Sequence, residues 1–561
     1  MTIMFLRLLS FVPLIWGLNH YFYSAVIPGD LGDARFNMYI LEHGFRWLSG
    51  QDASFWSAPF FYPATDVVAY SDNLLGSLPI YAIFREFHMN REASFQMWNI
   101  TVFILNYLAS YWVMRRLGVS LWGTMAGSYV FTFGLPVMGQ VGHAQLFARF
   151  MVPIGIYYWL KFLETRYLKD WSLALVALLW QIYLGIYTGY FLGMAFVLIS
   201  VCRWYILRPP SLPNAPFLKK LSRVGLEVFL ALKNMLSNLK NPTVRPFILA
   251  LGIFVGGLVP LGIAYGTVEV EMGGRSWGEI SSQLPHIASF FRAPQSQVYG
   301  SIMNWGQNLP LSGEHMIFVG IIPFLCLVLF PLWIRRRYED ANYLTLKILW
   351  LAVVVFSICT LDVCGISLYW FIAHLPGVNA IRGVTRFSLV MLFPVALIMS
   401  TMLSHMLEAV HQIISHRIPA LGKLIFLVSL GVVSLVVIDQ LSDFPSYPKK
   451  ETFERVQHLK DEIREAMVRQ GLNLERIVVW SNPSESQFPF SQIDTMLASQ
   501  DLGIPTVNGY SGNVPSGYPL DLFFLVKDKK CNALREWVNR HQESFSKKAI
   551  LVVGDPCSNV K

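Results

Sequence analysis

The chain has 561 residues, 54% of them hydrophobic and 14% aromatic, while only 14% carry charge, and its mean hydropathy is +0.46. That balance excludes an ordinary water-soluble domain, in which about a quarter of the residues are charged. The net charge of +9 does not point to nucleic acid, because the basic residues sit in short clusters between apolar stretches, as orientation in a membrane requires.

Apolar runs occupy about 3–23, 95–114, 119–139, 147–163, 171–186, 187–207, 246–266, 316–334, 345–361, 384–404 and 421–441. Runs of this length fit helices rather than barrel strands, so the expected fold is an α-helical polytopic membrane protein with about eleven transmembrane helices. The first run carries Arg7 but no small-x-small cleavage site follows, which reads as an uncleaved span. With a cytoplasmic N-terminus, Arg115 and Arg116, the Lys161/Arg166/Lys169 group, the segment 203–245, residues 335–337 and the Lys423 region all fall on one face. Residues 171–202 contain no charge and are too long for one span yet short for two. Because 203–245 holds eight Lys/Arg against the single acid Glu227, a tight hairpin near 185–189 is expected.

An odd number of spans places the C-terminus outside, together with the long loops 24–94 and 267–315. The division is then a membrane domain over 1–441 and an extracytoplasmic domain over 442–561. In the latter, Phe453, Val456, Leu459, Ile463 and Met467 follow helical spacing, and 477–480 and 550–553 read as strands, giving a small α/β domain. Six cysteines form no CxxC or Cys/His grouping, and Cys531 and Cys557 are open both to pairing and to remaining free thiols.

Large polar loops on one face locate the chemistry there. After the first span comes Pro28-Gly29-Asp30-Leu31-Gly32-Asp33-Ala34-Arg35, followed by a stretch with Phe36, Ile40 and Trp47 on one face and Arg35, Glu42 and Arg46 elsewhere. This predicts a short helix lying in the membrane interface, with Asp33 at its start either as an N-cap or as a catalytic carboxylate. The aromatic segment 55–63 and Asp72 suit a sugar, whose C–H faces stack while its hydroxyls bond to polar groups; an interfacial aromatic belt is the alternative. Arg382 and Arg386 fall at an outer mouth where cations are disfavoured, and an i,i+4 helical pair there implies an anion such as phosphate or an ordinary salt bridge. Arg35, Arg275 and Arg292 are also expected outside, and His143, Glu314 and His315 add polar groups at the same level.

The first-loop segment Gly29-Asp30-Leu31-Gly32-Asp33-Ala34-Arg35, with many spans and a soluble tail, resembles the GT-C superfamily of polyprenyl-phosphate-sugar-dependent membrane glycosyltransferases. Gly313-Glu314-His315-Met316-Ile317-Phe318-Val319-Gly320, Pro376-Gly377-Val378-Asn379-Ala380-Ile381-Arg382, Ala498-Ser499-Gln500 and Val507-Asn508-Gly509-Tyr510-Ser511-Gly512 are similar to segments of bacterial members. The resemblance implies a bacterial inner-membrane enzyme with a periplasmic site that moves a sugar from a polyprenyl-phosphate carrier to a glycan, lipid or protein. It implies Asp33 first and Asp30 second as the carboxylate acting on the acceptor; the residues themselves add Arg382, Arg386, Arg35, Asp72, His143, Glu314 and His315 as expected substrate contacts. No obligatory cofactor is expected, and a divalent metal between outer-loop carboxylates is compatible with the family. The tail lacks a Trp-Trp-Asp motif, which argues against transfer of a whole glycan to protein asparagine. A transporter or flippase of lipid-linked saccharides is the rival reading, disfavoured because the middles of most spans are free of charge. A surface-polysaccharide polymerase or ligase is a third, disfavoured because no single outer loop dominates.

Overall fold

The computed structural model describes residues 9–22, 25–207, 245–335, 343–375, 377–417, 422–482, 490–520, 527–554 and Cys557. In chain order its elements begin α1 (Val12–Tyr21), β1 (Val26–Pro28), α2 (Asp33–Leu48), α3 (Leu78–Glu86), α4 (Arg91–Arg116), α5 (Leu121–Phe133), α6 (Leu135–Gly139), α7 (Met151–Thr165), α8 (Leu168–Leu184), α9 (Ile186–Leu207) and α10 (Arg245–Met272). They continue α11 (Trp277–Ser281), α12 (Ile321–Arg335), α13 (Leu344–Thr360), α14 (Tyr369–Ala373), α15 (Phe387–Arg417), α16 (Gly422–Asp439), β2 (Ser446–Pro448), α17 (Lys449–Gln470), β3 (Ile477–Asn482), α18 (Phe490–Leu502), α19 (Lys527–Arg540), α20 (Gln542–Phe545) and β4 (Ala549–Gly554).

The protein is mostly helical among its described residues, and each of the eleven apolar runs contains helix, the run 119–139 as two helices broken at Gly134. Among the described residues, four helical segments are long and apolar enough to cross a membrane: Ala144–Thr165, Ile186–Leu207, Arg245–Met272 and Val384–Ile413. The helices of Ile321–Arg335, Leu344–Thr360 and Leu424–Asp439 are apolar but shorter. The uncharged stretch 171–202 breaks at Gly185, where α8 ends and α9 starts. The two helices fold back on each other, and Gln181 donates to Thr188 across the turn at 2.8 Å.

The core sits on α15. Leu389 to Phe393 and Val395 to Met399 are buried without interruption, so the first half of this helix is enclosed on all sides, as a segment apolar around its whole circumference must be. Gly123 and Gly127 of α5 admit it, since a Cβ at either would strike Ser400 or Ser404. That is small-xxx-small packing, and Ser120 closes it with a 2.7 Å bond to Ser404. By contrast α10 exposes Leu249, Ile253, Val255, Val259 and Ile263 and stands at the periphery. Such an apolar outer face suits lipid or a protein partner rather than water.

The tail returns to the start of the chain. β2 pairs antiparallel with β1, bringing Tyr447 opposite Ile27, while β3 and β4 form a parallel two-stranded sheet packed with α17 and α18. Cys531 and Cys557 are joined as a disulfide, with Cα atoms 5.7 Å apart.

The helix α2, expected to lie in the membrane interface, is largely covered by protein. Ala34 through Gly44 are all buried, because the charges read as facing headgroups are met by protein. Arg35 pairs with Asp494 of α18 at 2.5 Å, and Glu42 accepts from Tyr81 at 2.6 Å and from Arg85 at 2.8 Å. The aromatic segment 55–63 is likewise a seat for the tail, with Phe61 edge-on to Tyr518 at 4.8 Å and its N–H donating to Asn508.

The Arg35–Asp494 pair therefore fastens the tail to α2. Asp494 also accepts from Arg455, so truncation of Arg35 leaves one of its two cations in place and should cost less than the roughly 3 kcal/mol of a fully broken buried pair. Arg35→Ala is expected to lower the thermal unfolding midpoint in detergent and to speed proteolytic release of the tail. An unchanged midpoint and proteolysis rate would contradict the docking role.

Candidate functional site

Asp33 reaches the site because another residue caps its helix. Asp30 Oδ1 accepts from the N–H groups of Gly32 and Ala34, both at 3.1 Å, and satisfies donors that a helix start leaves unpaired. Asp33 is then the first helical residue and makes no cap bond with its side chain. The two open readings of this loop thus divide between two aspartates, and Asp30, expected as the second catalytic carboxylate, is occupied as the cap.

The freed Asp33 carboxylate starts a row of alternating charges. Tyr510, from the tail, donates to Asp33 Oδ1, and His143 Nδ1 meets Asp33 Oδ2 at 2.7 Å. The other ring nitrogen, Nε2, lies 3.0 Å from Glu314 Oε1. Arg386 clamps Glu314 with two donors, Nε at 3.2 Å and a terminal nitrogen at 2.9 Å, and its guanidinium lies over the Tyr187 ring at 4.6 Å.

Burial and the Arg386 charge both press the His143 imidazole toward its neutral form, yet the hydrogen bonds to Asp33 and Glu314 outweigh them and hold its pKa at about 9. Burial would raise Asp33, but His143 and Tyr510 keep it below its ordinary value. Glu314 is likewise carried well down by Arg386 and His143 against the effect of burial. At neutral pH the row therefore reads carboxylate, imidazolium, carboxylate, guanidinium. Burial and the adjacent Asp33 charge raise the Tyr510 phenol, which stays a donor.

These groups face a cavity of about 740 Å³, within the range of small-molecule sites. Its lining also includes Asp72, Arg275, Arg382, Tyr190, Tyr265 and residues 511–513. Arg382 has no ion pair among the described residues, and it lies close enough to Tyr510 for its charge to act on the phenol. Apolar and aromatic walls come from α9 and α10. Arg275 donates to the Gly512 carbonyl at 2.9 Å and to the Asn513 side chain, so the 267–315 loop and the tail close one wall together.

Of the residues expected in the site, Asp33, Asp72, His143, Glu314, Arg382 and Arg386 line this one cavity. Three do not. Arg35 is 1% exposed and committed to Asp494, and Asp30 is the cap. His315 is buried between Ser289 Oγ at 2.9 Å and the Ser282 carbonyl at 3.3 Å, where it fixes the outer loop. Arg292, expected outside with Arg275, is spent on the Ser312 carbonyl and Asn304. Nor do Arg382 and Arg386 share a helical turn. Residues 378–380 and 384–386 are short 3-10 turns separated by an extended stretch at Ile381, and the arginines converge by loop geometry. Tyr510, Tyr187 and Asn37 also line the cavity and are not singled out by the sequence; the Gly509-Tyr510-Ser511-Gly512 segment is the available signal for the first. Among the described residues, no group of three or more His, Cys, Asp or Glu side chains is arranged to hold a metal ion. The imidazolium of His143 occupies the position between Asp33 and Glu314.

A family described as a domain of unknown function, DUF6311, matches residues 49–217. No curated protein matches the chain. Among solved structures, the chain is similar to the archaeal oligosaccharyltransferase AglB from Archaeoglobus fulgidus, in complex with an inhibitory peptide and a dolichol-phosphate. That likeness has a TM-score of 0.51 at 10% identity and covers 96% of this chain and 68% of that one, and it is a likeness of fold.

The charge row sets a pH window. With a folded pKa of about 9 against an ordinary 6.5, His143 contributes stability in full below pH 6.5 and loses it as pH rises through 9. Asp33 and Glu314, held below their ordinary values of 3.8 and 4.5, contribute above those values and lose their contribution as pH falls. The unfolding midpoint in detergent is expected to be highest between pH 4.5 and 6.5 and to decline through 9. His143→Gln should flatten the alkaline decline; an identical decline in both proteins would contradict the row.

Proposed function

We propose that this chain is a membrane glycosyltransferase that moves a sugar from a polyprenyl-phosphate donor to an extracytoplasmic glycan, lipid or protein, with Asp33 as the base. The observation that carries this reading is the shared cavity, in which an ionised carboxylate and the unpaired cation Arg382 face one space beneath apolar walls. The lining comes from loops 24–94 and 267–315, the tail, and the ends of helices that the basic clusters assign to the outer face. The proposed topology has about eleven spans over 1–441, a cytoplasmic N-terminus and a periplasmic α/β domain over 442–561, in a bacterial inner membrane. The fold likeness to a protein solved with a dolichol-phosphate and a peptide supports a lipid phosphate and an acceptor as the two ligands.

In this mechanism the acceptor hydroxyl takes the place of Tyr510 on Asp33 and attacks the anomeric carbon from the side opposite the phosphate. A carboxylate held below its ordinary pKa is a weak base, so the proton moves late, once the attacking oxygen has gained positive character. The carbon–phosphate oxygen bond breaks as the new bond forms, which inverts the anomeric configuration. Arg382 stabilises the charge that collects on the departing lipid phosphate, while Arg386 keeps Glu314, and through it His143, in place.

Purified protein in detergent, given a panel of short-chain prenyl-phosphate hexoses and mixed glycan, lipid and peptide acceptors, is expected to release the free prenyl phosphate. Asp33→Asn should lower turnover by about 10²–10⁴-fold. Sugar flux into liposomes without release would favour a transporter. Loss of the charged hydrogen bonds in Arg382→Ala should weaken prenyl-phosphate binding by about 10–100-fold, and an unchanged affinity would remove Arg382 from the donor site.

A further inference from the structure

Four carboxylates line the cavity, and they are not equally compensated. Asp33 has an imidazolium and a phenol, and Glu314 has an imidazolium and a guanidinium. Glu269 of α10 is half-buried and also borders a second, smaller cavity with Arg275. Asp72 differs from all three. It is 5% exposed, its Oδ1 accepts from the Ile186 N–H at the start of α9 at 2.6 Å, and among the described residues its other oxygen has no partner and no cation touches it.

We infer that Asp72 is the proton donor to the departing phosphate, the acid that complements Asp33 as base. This rests on the transferase reading. The groups that face Asp72 are Arg386 from the turn before α15, His143 from the loop before α7 and the Tyr265 phenol from α10. None is in contact, so their charges only partly offset burial, and the Asp72 carboxyl sits at about 6 against an ordinary 3.8. Two carboxyl groups driven apart by their surroundings in one cavity define an acid and a base.

The step balances. The acceptor oxygen bonds to the anomeric carbon and its proton passes to Asp33, while the carbon–oxygen bond to phosphate breaks and that oxygen takes the proton of Asp72. Both carboxyl groups then exchange with solvent. The donor is a phosphodiester monoanion, and its arrival adds a like charge that raises the proton affinity of Asp72 further. The oxygen it leaves belongs to a phosphate monoester with a second pKa of about 6, close to that of its proton donor, which is the condition for efficient general acid catalysis.

The test compares wild type, Asp72→Asn and Asp72→Glu on the short-chain prenyl-phosphate hexose that wild type turns over best. Asp72→Asn keeps an acceptor for the Ile186 N–H and is expected to fold. Its kcat should fall by about 100-fold with KM within about threefold. Wild-type kcat should decline from slightly above pH 6 as Asp72 loses its proton, whereas Asp72→Asn should be flat there, and Asp72→Glu should restore the limb. Without substrate, infrared difference spectra should show a carboxylic acid C=O band titrating near pH 6 in wild type and absent from Asp72→Asn. Retained kcat in Asp72→Asn, an unmoved alkaline limb or a missing band would overturn the assignment and leave the transferase reading standing. A wild type that releases no prenyl phosphate would remove that reading and this donor role with it.

Discussion

Charge compensation inside a low-dielectric cavity is the constraint on which the rest of this structure depends. A carboxylate taken out of water is stable only beside positive charge or several donors. Asp33 and Glu314 share one imidazolium, and Glu314 adds the Arg386 fork. Each member of the row is ionised because its neighbours are. The imidazolium needs both carboxylates, since burial and Arg386 alone would leave it neutral. The row therefore behaves as a unit, and removal of any member changes the protonation of the others.

The fold brings these groups together from distant parts of the chain. Arg386 sits in the turn that leads into α15, the enclosed central helix, so its position is fixed by the packing of the whole bundle. His143 comes from the turn before α7, and Glu314 from the 267–315 loop before α12. The tail contributes Tyr510 and is held by the β1–β2 ribbon, by Arg35–Asp494 and by Arg275 on the 512–513 backbone and side chain. A cavity assembled in this way joins the bundle, the outer loops and the tail, and it is open to a ligand with an apolar part against α9 and α10 and a polar part against the charge row.

Apolar length was enough to read the helices, because a buried or lipid-facing helix writes its extent into an uninterrupted run of side chains. The turn at Gly185 was legible from charge, since a basic loop must stay on one face. The site was legible where a charged residue had no business in its position, as with Arg382, or where a polar motif opened a loop, as with Asp33 and His143. It was illegible where a partner lay far off in sequence. Arg35 looked like a free outer cation because Asp494 is supplied by the tail, 459 residues away. Asp30 and Asp33 could not be ranked until the N–H groups of Gly32 and Ala34 were seen to take the former. Pattern gave Arg382 and Arg386 a common helix face; Gly383 between them, with a non-helical backbone, interrupts it.

The most direct measurement is an electron cryo-microscopy structure of the full chain in a nanodisc with a non-hydrolysable prenyl-phosphonate hexose. The account requires phosphonate density within hydrogen-bonding distance of the Arg382 guanidinium, the prenyl chain against α10, and the anomeric carbon in line between the phosphonate and Asp33. Density for the headgroup at the opposite ends of the helices, or in a site that Asp33 does not face, would contradict it.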